Sequence, residues 1–440
     1  YQAGTENYTH YIAEAMADLG HEVFIVATEP ESDNNYHIEK YEEGRVKVFK
    51  IHKNIAVGRG INSDHTDEKY LEAFVGIIDE INPDIAHIQH LLYSSHRILD
   101  VMKERKIPII YTLHDSWLEC PKITKLMPDN SMCSGWSEEK CRDCISSSKI
   151  YISNDKMASL LSKIYGKFSM HRIFVNMVSI IKKILTWFGT GKKSAESDIK
   201  ARYENMKKII DSVNLFISPS QYLRSAFASW GIPEDKIIYS RNGMNVFEED
   251  DIKESEEKSD GGELVFAFTS FIREAKGVHI LLDAFEILEK GRIKGGKLLV
   301  YGRYEKNSKY AIDFLRKIRK LKTAQYMGEF NNKEINSILK KVDYLVLPSI
   351  WSENAPLVIE EAYLNKVPCI VSDIGGMAER VEDGKNGLHF KAGNAKDLAE
   401  KISYLLNKKE IRNIFIKNIP HVKTIKENAV ELEDLYKKYL

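Results

Sequence analysis

Asp343-Tyr344-Leu345-Val346-Leu347-Pro348, followed after four residues by Glu353-Asn354-Ala355-Pro356-Leu357-Val358-Ile359-Glu360-Glu361, decides how this chain is read. The first run is short and apolar, as a buried strand is, and Pro348 ends it. Asn354 is expected to cap the following helix, with Pro356 in its first turn. A helix N-terminus then points out of a sheet edge, where free N–H groups and the positive dipole end suit a diphosphate. Glu361, about a turn and a half along, is placed to reach the hydroxyls of an attached ribose. Glu353, in the preceding loop, faces the sugar. Two glutamates at this spacing describe a solvated helix face equally well.

The sequence around them separates these readings. After the helix come Val367-Pro368-Cys369-Ile370-Val371, then Ser372-Asp373-Ile374-Gly375-Gly376-Met377-Ala378-Glu379, then Glu382-Asp383-Gly384-Lys385-Asn386-Gly387-Leu388. They read as strand, Gly-rich turn with helix start, and hairpin-like turn. Together with the Glu-seven-residues-Glu motif, this resembles the retaining, family-four glycosyltransferases of the GT-B fold across most of the chain. The resemblance implies that Glu353, Asn354, Ala355, Pro356, Leu357 and Glu361 hold a nucleotide-diphosphate sugar. Where the family commonly has Phe-Gly after the first Glu, this chain has Asn354-Ala355-Pro356-Leu357, a variant associated with a subset of the family.

Composition agrees. The 440 residues are 43% hydrophobic and 29% charged, enough for two α/β domains with full cores. With 64 basic and 64 acidic residues the balance is neutral, so there is no global case for nucleic acid, and an anion site must be local. No signal peptide or uninterrupted apolar span is visible, which makes a cytoplasmic enzyme, at the inner face of the membrane, the expectation. Tyr1-Gln2-Ala3-Gly4-Thr5-Glu6-Asn7 resembles the loop after the family's first strand, so that strand is expected to be missing. In relatives this loop lies near the donor phosphate, and Gly4 there permits close backbone approach.

Helical periodicity from Asn7 to Leu19 leads into the strand Gly20 to Ala27. Further strands are expected at Pro83 to His90, Ile107 to His114, Val213 to Ser220 and Ile237 to Gly243. Alternating helices and short apolar strands argue for a doubly wound sheet. The charged stretch 248–262 is a linker or surface loop. A second series runs through Leu264 to Phe268, Lys297 to Gly302, Ala324 to Gly328 and the Asp343 and Val367 strands. The expectation is an α/β, GT-B chain: residues 1–247 as an acceptor-side Rossmann-like domain with an insertion about 150–200, and 263–440 as the donor domain, sheets facing across a cleft. In relatives the last helix crosses back to the first domain.

Sugar transfer requires positive charge at the departing diphosphate. In relatives an Arg and a Lys after the first strand of the second domain supply it. Lys276 aligns with that Lys; the Arg position holds Phe271, and Arg273, two residues on, is either its replacement or an exposed loop arginine. His114, at the end of its strand, matches the family histidine that contacts the transferring sugar. His87 and His90 either contact the acceptor or are packed. No Asp-x-Asp follows an apolar strand, so metal-independent transfer is expected, with no cofactor required for catalysis.

Four of the five cysteines, Cys120, Cys133, Cys141 and Cys144, fall within twenty-five residues. They are either a structural zinc or iron–sulfur ligand set or unliganded thiols. Residues 156–193 form a basic amphipathic stretch, read as peripheral membrane contact or as a packed helix with a solvated edge. The functional expectation is a retaining glycosyltransferase acting on a glycan or lipid-linked acceptor in cell-surface polysaccharide synthesis. The alternatives are a nucleotide-sugar epimerase on the same fold and a non-catalytic glycan-binding relative.

Overall fold

The computed structural model describes residues 4–30, 35–53, 61–62, 64–147, 190–245 and 262–440. The charged stretch 248–262, except its last residue, and all but the end of the amphipathic stretch 156–193 lie outside them. The chain forms two compact units. One gathers residues 9–218, 224–240 and 429–440; the other gathers 1–8, 219–223 and 241–428.

The first unit holds two sheets. β1 (Val23–Pro30) pairs in parallel with β3 (Val46–Lys53), and β2 (Ile38–Glu43) joins β3 antiparallel. The alternation in Val46-Lys47-Val48-Phe49-Lys50-Ile51 is the signal for β3, which the sequence reading passed over. The second sheet is parallel, in the order β4 (Ala86–Ile88), β5 (Ile109–Thr112), β6 (Leu215–Ser218), β7 (Ile237–Tyr239). β5 and β6 are buried along their whole length, as parallel strands covered on both faces must be. The closing helix Ile425–Tyr436 sends Tyr436 into this unit, where its hydroxyl meets Nδ1 of His87.

The second unit carries one six-stranded parallel sheet in the order β10 (Ala324–Gly328), β9 (Gly296–Tyr301), β8 (Leu264–Thr269), β11 (Tyr344–Leu347), β12 (Cys369–Ser372), β13 (Gly387–Phe390). Counted from its own first strand this is the doubly wound order 3-2-1-4-5-6, which reverses direction between β8 and β11. The hairpin-like turn expected at Glu382 to Leu388 instead feeds a parallel edge strand, β13, pairing with β12 from Cys369↔Gly387 to Ser372↔Phe390. A turn signal alone does not show which strand the chain rejoins. Phe266 stacks on Tyr344 with centroids 5.5 Å apart and meets Phe285 edge-on at 5.9 Å, all three fully buried. Each such ring contributes about 2–3 kcal/mol on burial, so these contacts anchor both strands that flank the reversal.

Candidate functional site

Loops leaving β8 and β11 at the reversal point of the second unit's sheet are where an open α/β sheet binds ligands. They are knitted together: the Ile350 N–H donates to the Ala275 carbonyl at 2.9 Å. Gly277 makes this approach feasible. Its φ is +68°, and a Cβ there would lie 1.8 Å from the Pro348 carbonyl oxygen, so only glycine fits.

Lys276, just before it, extends its Nζ to Oε2 of Glu353 at 2.6 Å, while the Ser349 hydroxyl donates to Oε1. The lysine side chain is 17% exposed and the glutamate 8%. A pair this enclosed adds little net stability, because desolvation offsets the Coulomb gain. Its consequence is positional, fixing one cation and one carboxylate at the strand ends. Trp351 lies beside them, its ring centroid 5.6 Å from Nζ. Behind them the Gly376 N–H donates to the Glu353 carbonyl at 2.7 Å, and a Cβ at Gly376 would fall 1.3 Å from the Asn354 carbonyl oxygen. The Gly375-Gly376 pair is therefore a seat for the Glu353-Asn354 loop.

The helix Leu357–Leu364 starts two residues later than expected. Its N-cap is Pro356, and no side chain caps it. Asn354 does not serve because its Oδ1 accepts from the Ser220 hydroxyl. The helix end thus presents N–H groups with no side-chain acceptor, which is what an anion uses. A Cβ at Gly4 would sit 3.5 Å from Leu357 Cδ1, which brings the start of the chain to this helix end. Glu361 lies in the helix, half-buried, and its carboxylate has no partner among the described residues. Burial pushes its pKa up to about 7. An enclosed carboxylate without a protein partner suits a diol.

Lys276, Glu353, Asn354, Ala355, Pro356, Leu357, Glu361 and Gly4 therefore share one unit around one helix end. Arg273 is exposed and lies over the Phe271 ring at 5.7 Å; Arg303, from the end of β9, lies over the same ring at 5.4 Å. Sequence reading missed Arg303, Ser349 and the buried pair Glu360–Arg380. In that pair Nε meets Oε1 at 2.7 Å and a terminal nitrogen meets Oε2 at 2.6 Å, tying the helix Leu357–Leu364 to the helix Gly375–Arg380. Glu360 and Glu361 are adjacent and chemically alike. Their side chains leave the helix about 100° apart, and that difference puts Glu360 against Arg380 and leaves Glu361 without a partner among the described residues.

In the first unit, His114 follows β5. Its Nε2 lies 2.8 Å from Gln89 Oε1, and burial, with His90 nearby, lowers its pKa to about 4. It is a neutral imidazole at pH 7, able to donate or accept. His87 is packed: Nε2 meets the Thr112 hydroxyl at 2.8 Å, and burial lowers its pKa to about 3. His90 meets Asp115 at 3.2 Å and accepts from the Leu92 N–H at 2.9 Å. Among the described residues no helix is long and apolar enough to cross a membrane.

Comparisons with known proteins bear on both units. Residues 249–422 match the profile of the family described as Glycosyl transferases group 1, and residues 3–151 that of Glycosyltransferase Family 4. An uncharacterized glycosyltransferase of Methanocaldococcus jannaschii is 30% identical over 253 residues, 57% of this chain and 63% of that one. The N,N'-diacetylbacillosaminyl-diphospho-undecaprenol alpha-1,3-N-acetylgalactosaminyltransferase of Campylobacter jejuni is 34% identical over 143 residues, 32% of this chain and 35% of that one. The chain thus spans between about a third and somewhat under two thirds of these relatives. Among solved structures, sucrose-phosphate synthase of Thermosynechococcus elongatus superposes with a TM-score of 0.63 at 15% identity, covering 99% of this chain and 93% of that one. The Anabaena protein HepE, solved with UDP and glucose, does so with 0.58 at 15%, covering 99% and 96%. At such identities the likeness is one of fold.

Proposed function

The chain belongs to the group 1 glycosyltransferases, and from that premise we propose that it moves a sugar from a nucleotide-diphosphate sugar to a glycan or lipid-linked acceptor, with retention at the anomeric carbon. The observation that carries this reading is the convergence of Lys276, Glu353 and the uncapped helix Leu357–Leu364 at the reversal point of the six-stranded sheet.

In the reaction the bond from anomeric carbon to phosphate oxygen breaks, and the acceptor oxygen bonds to that carbon. The acceptor proton passes to the departing diphosphate. Lys276 stabilises the charge that develops on the diphosphate, and the backbone N–H groups at the start of the helix share it. Arg273 adds long-range positive charge. Glu353, held by Ser349, accepts hydrogen bonds from sugar hydroxyls, and Glu361 accepts them from the ribose. His114 bonds a hydroxyl of the transferring sugar as a neutral imidazole. These groups supply the electrostatics without a divalent ion, so turnover should survive a chelator.

A lipid-linked acceptor is supported by the Campylobacter relative, whose name specifies a diphospho-undecaprenol substrate. We propose that with such an acceptor the chain works at the cytoplasmic face of a membrane, in cell-surface polysaccharide synthesis. The stretch 156–193 is the segment proposed to touch anionic lipid, and retention of the full chain on anionic vesicles at low salt, reversed by salt, is the check. The function itself is tested by incubating the chain with UDP-, GDP- and ADP-sugars and following nucleoside diphosphate release with and without isoprenoid-diphosphate-linked glycan. Acceptor-dependent release with a retained anomer by NMR supports the reading. Turnover of the sugar nucleotide in the absence of acceptor would overturn it in favour of an epimerase.

A further inference from the structure

Cys120, Cys133, Cys141 and Cys144 are free of disulfides on a segment anchored by the Trp136–Tyr203 stack, and among the described residues no three His, Cys, Asp or Glu side chains are placed to hold a metal ion. The unmet electrostatic demand lies in the second unit instead. There, the charged side chains around the start of the helix Leu357–Leu364 cancel. Lys276 is paired with Glu353 at 2.6 Å and Arg380 with Glu360 at 2.6 Å, while Arg241 and Glu379 line one cavity behind the helix start. Glu361 adds a negative charge once pH passes about 7. A departing nucleoside diphosphate brings several further negative charges into these neutral surroundings, and a helix end equivalent to roughly half a charge does not balance them.

Further positive charge stands one strand over, where Gly302 and Arg303 leave β9. Their backbone is bound to the loop leaving β8: the Ser270 N–H donates to the Tyr301 carbonyl at 3.3 Å and the Ile272 N–H to the Arg303 carbonyl at 2.9 Å, and Ile272 and Tyr304 form a parallel bridge. Gly302 has φ +136°, and a Cβ there would lie 1.9 Å from the Ser270 carbonyl oxygen, so only glycine lets the two loops run this close. Arg303 is thereby fixed on the loop that carries Lys276. Two guanidiniums then share one phenyl ring, Arg303 at 5.4 Å and Arg273 at 5.7 Å from the Phe271 centroid. Like charges gathered on one ring repel, and a cation–π contact returns only about 0.5–1 kcal/mol at an exposed site, so the pair leaves positive potential at these strand ends. The two arginines differ in support. Arg273 is exposed, in an extended residue before the single turn Glu274–Lys276; Arg303 is half-buried at a strand end.

We propose that Arg303 is the second cation of the diphosphate site, binding the departing diphosphate together with Lys276, with the Phe271 ring as the surface that holds its guanidinium. The proposal rests on the nucleotide-sugar reading above. A planar guanidinium stacks on a ring through its face and bonds phosphate oxygens bidentately through its edge, which a lysine cannot do. Phe271, standing where an arginine was expected, does not bind the anion itself; it carries an arginine delivered from the neighbouring strand. Arg273 adds charge at longer range.

The test uses the full chain. Calorimetric titration finds which of UDP, GDP and ADP it binds, and the matching nucleoside is followed by ligand-observed NMR. Arg303→Ala should lower affinity for that diphosphate tenfold or more, about 1.4 kcal/mol, and leave affinity for the nucleoside unchanged. Arg303→Lys keeps the charge without the fork and should recover part of the loss. In the wild type, where no variant has to fold, phenylglyoxal labelling of Arg303 read by peptide mass spectrometry should be blocked by the diphosphate and by inorganic pyrophosphate, and not by the nucleoside. A diphosphate that binds the wild type and Arg303→Ala equally well, or protection of Arg303 by the nucleoside alone, would overturn the proposal and leave the nucleotide-sugar reading standing. Binding of none of the three diphosphates would overturn that reading, and the proposal with it.

Discussion

Glu361→Gln should stabilise the chain at pH 8 while abolishing its response to a sugar nucleotide. The wild-type carboxylate has no partner among the described residues, and burial raises its pKa from 4.5 to about 7. The folded chain therefore holds a proton that the unfolded chain has released between those values. Stability is full below pH 4.5 and is lost as pH rises toward 7. The gap between the two values corresponds to roughly 3 kcal/mol at pH 8 and under about 1 kcal/mol at pH 5. Gln keeps the shape and never ionises, though its poorly solvated amide returns about 1 kcal/mol of cost. A net gain of about 2 kcal/mol at pH 8 should raise Tm by roughly 4–8 °C, and near pH 5 the two proteins should melt together. Differential scanning fluorimetry at both pH values, with and without UDP- and GDP-sugars, reads both effects. A wild-type to Gln difference that is independent of pH would refute the reasoning about burial. A ligand shift that survives in the Gln variant would refute the assignment to the ribose.

Further outcomes follow from the same geometry. Gly277→Ala places a Cβ 1.8 Å from the Pro348 oxygen at a φ of +68°, so the Ala275–Ile350 contact must open at a cost above the roughly 1–2 kcal/mol of a left-handed residue alone, and nucleoside diphosphate affinity should fall tenfold or more by calorimetry. Arg380→Met strands a buried Glu360 and should cost about 3–5 kcal/mol by urea denaturation, most of it recovered when Glu360→Leu is added. His87, His96 and His114 have folded pKa values lowered to about 3, 3 and 4 by burial, so the unfolded chain binds protons first. Stability is full above pH 6.5 and falls toward pH 4, each group contributing up to about 1.4 kcal/mol per pH unit; His114→Asn should flatten that slope.

The Asp343 and Val367 strands were legible because a parallel strand covered on both faces must be apolar throughout, and β11 and β12 are buried along their whole length. Strand β3 and the edge strand β13 were not read: one alternates within a charged stretch, and the other follows a turn whose partner is set by topology. At the candidate site, the spacing of Glu353 and Glu361 pointed to one helix end, and the structure brings Lys276 to Glu353 there. The roles of Ser220 and Ser349 were hidden because each acts through a partner that spacing does not reveal: Ser220 through Asn354, 134 positions away, and Ser349 through Glu353. The misplacement of the helix cap has the same origin, since Asn354 was a plausible cap until Ser220 claimed its side chain. Phe271, where an arginine was expected, gains meaning only when Arg273 and Arg303 are seen over its ring.

The decisive measurement is isothermal titration of UDP, GDP and ADP into the full chain in chelator-treated buffer, repeated with Lys276→Ala. One of the three should bind with no divalent ion present, and the lysine variant should lose at least tenfold in affinity, the equivalent of about 1.4 kcal/mol. Binding of none of them, or binding that is indifferent to Lys276, would contradict a nucleotide-sugar site at the ends of β8 and β11.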